Sequence, residues 1–380
     1  MNFELNEEQR ALRDSLRRML SDRYGFDRRR ALAASACGHD EGTWQALGEL
    51  GITALLVPEA CGGFGGGARD LLPVMQELGG VLSLEPLLPC VLGSTAVRLS
   101  ADAATQARLL PGVADARTRL AWAHDEPSGR HAPWWIQTRA RQSEGRWLLE
   151  GEKALVLGAG LAHHLVVSAR LQGAADDPQG CALFLVDRDA ASLTCRDLRL
   201  VDDTSAAHVQ LRGVVATPLG DAASGAHARV AIEGTLALGV AAACADMVGA
   251  MHTAFRLALD YLNTRRQFGR LIGENQALRH RAAEMLVSLE LAKSMAIAAA
   301  VAADDPAGES SRHDLHRAKL SIGRHARSLA HSAVQIHGGI GMTEEYQVGH
   351  CLRRIHVMDQ LFGDGESHAA RLAELARAVS

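Results

Sequence analysis

The chain has 380 residues, 47% of them hydrophobic and 22% charged, enough to bury a large core in two or three domains. Forty basic against 44 acidic side chains leave a formal charge of −4, and no basic run interleaves with aromatics, which excludes a dedicated nucleic-acid binder. Seven cysteines without a CxxC pair fit buried thiols in a reducing compartment, and no His/Cys spacing matches a zinc site, so no metal is expected.

The first twenty residues alternate charge with leucine and lack the apolar core of a signal peptide. The longest apolar stretches, such as LALGVAAACA at 236–245, read as too short to cross a bilayer. A cytoplasmic protein without membrane contact is the expectation. From 1 to about 115 the pattern is helical. Asn6 and Gln9 form an N-cap and N3 pair, followed by Leu12, Leu16, Met19 and Leu20 on one helix face. ARDLLPVMQELGG and CVLGSTAVRLS read as further short helices, with Gly79 as a C-terminal stop. GFGGGA at 63–68 fits the dinucleotide fingerprint G-x-G-x-x-A, but helix follows helix where strand and helix should alternate, so a glycine-rich surface loop is expected.

From about 116 to 215 short segments rich in branched and aromatic residues follow one another: TRLAWAH, WWIQTRARQ, RWLLEGEKALVL, HHLVVSAR, CALFLVD and AHVQLRG. Turn-forming stretches such as EPSGRHAP and QGAADDPQG separate them, which predicts an antiparallel barrel or sandwich. Trp122, Trp134, Trp135 and Trp147 fall here as core or sheet-face residues. From about 225 the chain is alanine-rich and helical, with proline-free runs at 227–262 and 276–303, a break at DDPAGESS, and resumption at 312–336. Gly239 and Gly249 would allow close helix contact.

Two stretches are distinctive: YLNTRRQFGRLIGENQALRHRAAEM at 261–285 and QIHGGIGMTEEYQVGHCLRR at 335–354. With the three-part layout and LVPEACGGFGGG at 56–67, they resemble the acyl-CoA dehydrogenase family of flavoproteins over nearly the whole chain. The resemblance implies a mainly α fold with a central β domain. An N-terminal helical domain would span 1–115, an antiparallel β-barrel 116–220 and a C-terminal four-helix bundle 221–380. It also implies FAD as cofactor, an acyl-CoA thioester as substrate for α,β-desaturation, and electron-transfer flavoprotein as the partner taking electrons. The implied cofactor-binding residues are Arg265, Gln267, Phe268, Gln276, Gln335, Gly338, Gly339 and Glu345, which in the family reach the FAD of a neighbouring subunit, so a dimer or tetramer is implied.

The chemistry of these residues is consistent with that assignment. Paired glycines let backbone approach a phosphate, a guanidinium offers pyrophosphate a planar fork, and a glutamine donates and accepts along an adenine or ribityl edge. The alternative for Arg265 is a solvated charge at a helix end. Phe268 stays open between core packing and the flavin edge, and flavin contact stays open for one of the tryptophans.

Several positions depart from the family pattern. DEPSGRH at 125–131 keeps Glu126, Pro127 and a glycine of T-E-P-x-x-G-S-D but loses the Ser-Asp ending. In KALVLG at 153–158, Leu155 and Leu157 stand where the family has an aromatic and a hydroxyl against the flavin ring, removing a hydrogen bond of about 1 kcal/mol. The family's arginine near the start of the long helix has no counterpart in LALGV at 236–240.

Desaturation requires a desolvated carboxylate to remove the α-proton. Counted without a gap from Gln335, the family's base position falls on Phe362, and Asp364 of LFGDGESH arrives only with two inserted residues. The alternative base position on the long helix falls on Gly239, with Glu233 almost two turns upstream. Asp364 is therefore the candidate base, and it is equally placed to cap a closing helix. The LFGD…H ending, the altered EPSGRH loop and the KALVLG strand are similar to the small subunits of hetero-oligomeric acyl-CoA dehydrogenases of steroid side-chain and dicarboxylate degradation. In those assemblies a homologous partner subunit supplies the base. The alternatives are a self-sufficient enzyme, an acyl-CoA oxidase or monooxygenase on the same scaffold, and a degenerate structural subunit.

Overall fold

The computed structural model describes residues 4–129, 131–221, 226–308 and 310–379. Six helices come first: α1 (Glu7–Arg23), α2 (Phe26–Ala34), α3 (Glu41–Glu49), α4 (Ala68–Gly80), α5 (Leu87–Ser100) and α6 (Ala103–Ala114). Seven strands follow: β1 (Leu120–Ala123), β2 (Arg139–Ser143), β3 (Arg146–Leu157), β4 (His164–Arg170), β5 (Cys181–Asp187), β6 (Leu193–Arg199) and β7 (Ser205–Leu219). The long helix α7 (Ala226–Thr264) leads into a hairpin of β8 (Arg266–Gln267) and β9 (Arg270–Leu271). The chain ends with α8 (Gln276–Asp304), α9 (Ser311–His337), α10 (Gln347–Gln360) and α11 (Gly365–Val379). The layout is that of an acyl-CoA dehydrogenase, mainly α with a central β-barrel. By contacts the chain separates into two compact units, one of residues 1–31, 68–83 and 240–380, the other of residues 32–67 and 84–239.

In the helical unit the expected capping box forms, with the Asn6 side chain accepting from the Gln9 amide and the Gln9 side chain from that of Asn6; Leu16 and Leu20 are buried. Gly79 is not the stop expected from sequence, because α4 continues through it. A Cβ there would lie 2.2 Å from the Asp246 carbonyl oxygen, so this glycine exists to let α4 and α7 touch backbone to backbone. Gly249 does the same from the other side, where a Cβ would meet the Gln76 carbonyl oxygen at 2.0 Å, and Thr253 Oγ1 donates to Gly80 O at 2.8 Å. Such close approach forces the neighbouring polar groups out of water, and they are paired accordingly. The Arg354 guanidinium on α10 grips Asp246 with Nε–Oδ1 at 2.8 Å and Nη2–Oδ2 at 2.7 Å, both side chains buried.

The apolar stretches are longer as helices than as runs of sequence. Both α7 and α8 contain windows apolar and long enough for a membrane, contrary to the sequence estimate. In α7 that window is 89% buried, which makes it a core helix; in α8 only 39% is buried.

In the second unit β4, β2, β3, β7 and β5 close on themselves around Leu149, Leu165, Val167, Phe184 and Val209. The pairing is antiparallel except at β1–β4 and β2–β4, which are parallel, so the expected all-antiparallel barrel is mixed on one side. Of WWIQTRARQ only Arg139–Ser143 is strand, and β6, absent from the sequence reading, pairs β7 alone. The expected glycine-rich loop at 62–67 is present. The amides of Gly63, Phe64, Gly65 and Gly66 donate to Pro58, Ala54, Val57 and Leu55, so they are spent inside the loop and cannot cradle a phosphate. The cysteines are all thiols, five of them buried; Cys37 is exposed and Cys195 half-buried, against the expectation of uniform burial.

Removing Arg354 as Arg354→Met leaves Asp246 buried without its guanidinium and should cost about 3–5 kcal/mol by urea unfolding, whereas Asp246→Asn/Arg354→Met should recover part of that loss.

Candidate functional site

The cofactor residues expected from sequence all lie in the helical unit, on three segments. Arg265, Gln267 and Phe268 sit on the end of α7 and its hairpin, Gln276 opens α8, and Gln335, Gly338, Gly339 and Glu345 run from the last turn of α9 toward α10. All are exposed, and the Phe268 side chain is 100% exposed at φ 53°, on a turn completed by Gly269 at φ 77°. Packing brings the segments to one end of the unit. The hairpin folds back on α7, with Ile272 N donating to Arg265 O at 2.9 Å. The ends of α7 and α9 meet through three rings that sequence reasoning missed. Tyr261 lies 4.5 Å from His337, His337 lies 4.8 Å from Tyr346, and the Tyr346 hydroxyl reaches His337 Nε2 at 3.2 Å.

These rings set the course of the glycine pair. His337 Nδ1 is 2.7 Å from the Ala333 carbonyl, so it carries the proton and leaves Nε2 to accept from Tyr346. Burial holds His337 below the ordinary histidine range and pushes the Tyr346 phenol up. Gly338 then leaves the helix at φ 64°, ψ −141°, a conformation reserved for glycine. Gly339 has open space where a Cβ would stand, so nothing within the chain demands glycine there. An open glycine edge beside the Arg265 segment fits a dinucleotide pyrophosphate.

The turn between α10 and α11 answers the question of Asp364 locally. Its Oδ1 accepts from the Ser367 amide at 2.8 Å, and its carbonyl accepts from Ser367 Oγ and the His368 amide. The carboxylate is the N-cap of α11. Phe362 precedes it at φ 62° and Gly363 at φ 110°. Beneath lies buried Lys319 of α9, whose Nζ donates to the carbonyls of Asp359, Leu361 and Gly363 at 3.0, 2.8 and 2.9 Å. Burial lowers Lys319 to about 8 while Cys244, Asp359 and Asp364 pull it back toward protonation. One turn earlier on α9, His316 Nδ1 meets His368 Nδ1 at 2.8 Å, one imidazole donating and the other accepting. Burial lowers these to about 4 and about 2 respectively. Of the other base positions, Gly239 lies within α7, and Glu233 pairs with Arg229 at 3.2 Å.

In the barrel unit the retained family residues become a buried polar knot. Lys153 Nζ donates to Glu126 Oε1 at 2.8 Å, to the His124 carbonyl and to Ser168 Oγ, and Glu126 also accepts from the Gln137 and Thr138 amides. Burial opposes charge on both partners; Lys153 and the two amides nonetheless hold Glu126 below the usual carboxylate range, and burial keeps Lys153 below its own. Arg170 spends all five of its N–H donors on the carbonyls of Ile136, Asp177, Gln179, Trp134 and Ala175. The 126–138 segment is thus held at both ends, although Arg130 within it lies outside the described residues. Leu155 stands at φ 51° beside a β-bulge with 44% exposure, aimed outward, while Leu157 is buried. Trp122 stacks on His124 at 5.2 Å, and Trp147 packs on Phe184 at 5.4 Å.

Sequence comparison meets this arrangement directly. Models of the acyl-CoA dehydrogenase N-terminal, middle and C-terminal domains match residues 6–117, 121–214 and 228–376. The chain belongs to the acyl-CoA dehydrogenase family. FadE12, an acyl-CoA dehydrogenase of Mycobacterium tuberculosis, is 31% identical over 319 residues, 82% of this chain and 81% of that protein. Among solved structures, a variant of the Tcur3481–Tcur3483 steroid ACAD superposes with a TM-score of 0.87 at 29% identity, covering 98% of this chain and 99% of that one. PigA with FAD and proline shares the fold, with a TM-score of 0.87 at 19% identity and all of both chains covered. Members of this family are FAD-dependent oxidoreductases, and FAD is the cofactor of this fold.

Asp364→Ala should cost about 1 kcal/mol of stability and Asp364→Asn only a few tenths, because Asn caps comparably. Since His316 and His368 titrate lower folded than unfolded, the unfolded chain binds more protons below pH 6.5. Thermal stability should therefore fall between pH 6.5 and about 4 at up to about 1.4 kcal/mol per unit for each group, and a His316→Phe/His368→Leu variant should show a flatter profile in that window.

Proposed function

We propose that this chain is the FAD-holding, base-deficient subunit of a hetero-oligomeric acyl-CoA dehydrogenase acting on a steroid side-chain thioester. The observation that carries the reading is the Asp364 carboxylate: it is committed to the Ser367 amide, and the ungapped base position holds Phe362 instead. The likeness to the Tcur3481–Tcur3483 steroid ACAD supports both the paired assembly and the substrate class. The half-exposed apolar face of α8, with Leu286, Val287 and Leu291 facing out, supports burial against a homologous subunit.

In this reading Arg265 neutralises the cofactor pyrophosphate, and Gly338 and Gly339 let backbone approach it. Gln267, Gln276, Gln335 and Glu345 bond its polar edges, and Phe268 packs on it across the subunit boundary. FAD, when bound, supplies the acceptor for hydride from the substrate β-carbon. The partner's carboxylate removes the α-proton, and electrons pass to electron-transfer flavoprotein in the cytoplasm.

The test is anaerobic flavin bleaching against a panel of acyl-CoAs that includes steroid side-chain thioesters. The chain co-expressed with a homologous dehydrogenase subunit should bleach, and Asp364→Asn in that complex should bleach at the wild-type rate. Substrate-dependent bleaching by the chain alone, abolished by Asp364→Asn, would instead make Asp364 the base of a self-sufficient enzyme. Rapid oxygen uptake by the reduced complex would move it to the oxidases.

A further inference from the structure

We propose that Lys319 is a positioning residue, whose buried ammonium holds the 359–364 turn in the one conformation that the acyl-CoA site uses. The inference rests on the dehydrogenase reading for its catalytic half, and on geometry alone for the rest.

An ammonium has three N–H donors, and those of Lys319 are all spent on one short segment, the carbonyls of Asp359, Leu361 and Gly363. Three alternate carbonyls can converge on one point only if the chain curls around it. The backbone does so, leaving α10 at Leu361 with ψ 138° and turning through positive φ at Phe362 and Gly363. Phe362 is not glycine, so its left-handed conformation is strained and persists only because something holds it. The charge-assisted bonds to Lys319 supply that hold.

The face of α9 around Lys319 serves the same segment. Four residues on, Gly323 leaves the space the Asp359 carboxylate fills; a Cβ there would lie 2.0 Å from Oδ1. Arg327, one turn further, pairs with Asp359 Oδ2 at 3.2 Å. Three residues before Lys319, His316 bonds His368 on α11. Asp359, Asp364 and the Cys244 thiol of α7 are the groups that favour the charged amine, and burial is what opposes it. A helix face that reads His, Lys, Gly, Arg at this spacing therefore specifies the segment carrying both Phe362 and Asp364, the two residues at or near the family's base position.

The test uses the full chain and its reconstituted complex, with Lys319→Met and, should that variant not fold, Lys319→Met/Asp359→Asn, which removes the counter-charge as well. Hydrogen exchange on the purified chain should quicken by about tenfold or more at the amides of 361–368, with those of α7 and α8 unchanged. In the complex the limiting rate of anaerobic flavin bleaching should fall by about 10- to 100-fold while the concentration of acyl-CoA giving half the maximal rate stays within about twofold. Unchanged exchange at 361–368 would overturn the clamp. Faster exchange with an unchanged limiting rate would overturn the catalytic role and leave the turn merely structural. If the wild-type complex bleaches with no acyl-CoA, the dehydrogenase reading fails, while the exchange measurement still decides whether Lys319 holds the turn.

Discussion

A charge removed from water must be met in full by its surroundings, because the desolvation cost of an unpaired ion amounts to several kcal/mol. This constraint organises both units. Asp246 and Arg354 meet as a two-pronged pair between α7 and α10, Lys319 meets three carbonyls, Glu126 meets Lys153 and two amides, and Arg170 meets five carbonyls. In each case the buried ion fixes irregular backbone or a helix crossing that apolar packing alone would leave loosely defined. The alanine-rich helices supply close contact; the ions supply register.

That division explains why the candidate site is built from the ends of regular elements. Long helices deliver Tyr261 and His337 to the same end of the helical unit, and the ring contacts there turn two helix termini into one surface. Glycine at 338 lets the chain leave α9 sharply, and the hairpin after α7 exposes Phe268 to whatever lies outside the chain. A fully exposed phenylalanine is costly in isolation and reasonable at a surface that is covered in the assembled protein.

The same logic separates the two readings of Asp364. A general base must keep its carboxylate available and poorly solvated, whereas a cap spends an oxygen on backbone. Here the oxygen is spent, and the lysine beneath adds a positive charge that favours the ionised, weakly basic carboxylate. The chain has kept the turn while changing what the turn presents.

Local features were readable in advance. The Asn6–Gln9 capping box, the long proline-free helices and the short strands follow from patterns within a few residues, as did the rejection of GFGGGA as a dinucleotide fingerprint. The family motifs were readable for the same reason, since R-x-Q-F-G and Q-x-x-G-G need particular side chains at fixed spacing. Gly79 was misread because close packing and helix termination call for the same residue, and β6 was missed because LTCRDLR lies on one strand's edge with much of it exposed. Lys319 did leave a trace, a cation in the apolar stripe of Leu315, Ile322 and Ala326, but not its meaning. Its partners are main-chain carbonyls 40 to 44 positions away, as those of Arg170 are main-chain carbonyls too. Every residue carries such a carbonyl, so no side-chain pattern marks which ones will converge, and only the folded path of the backbone decides it.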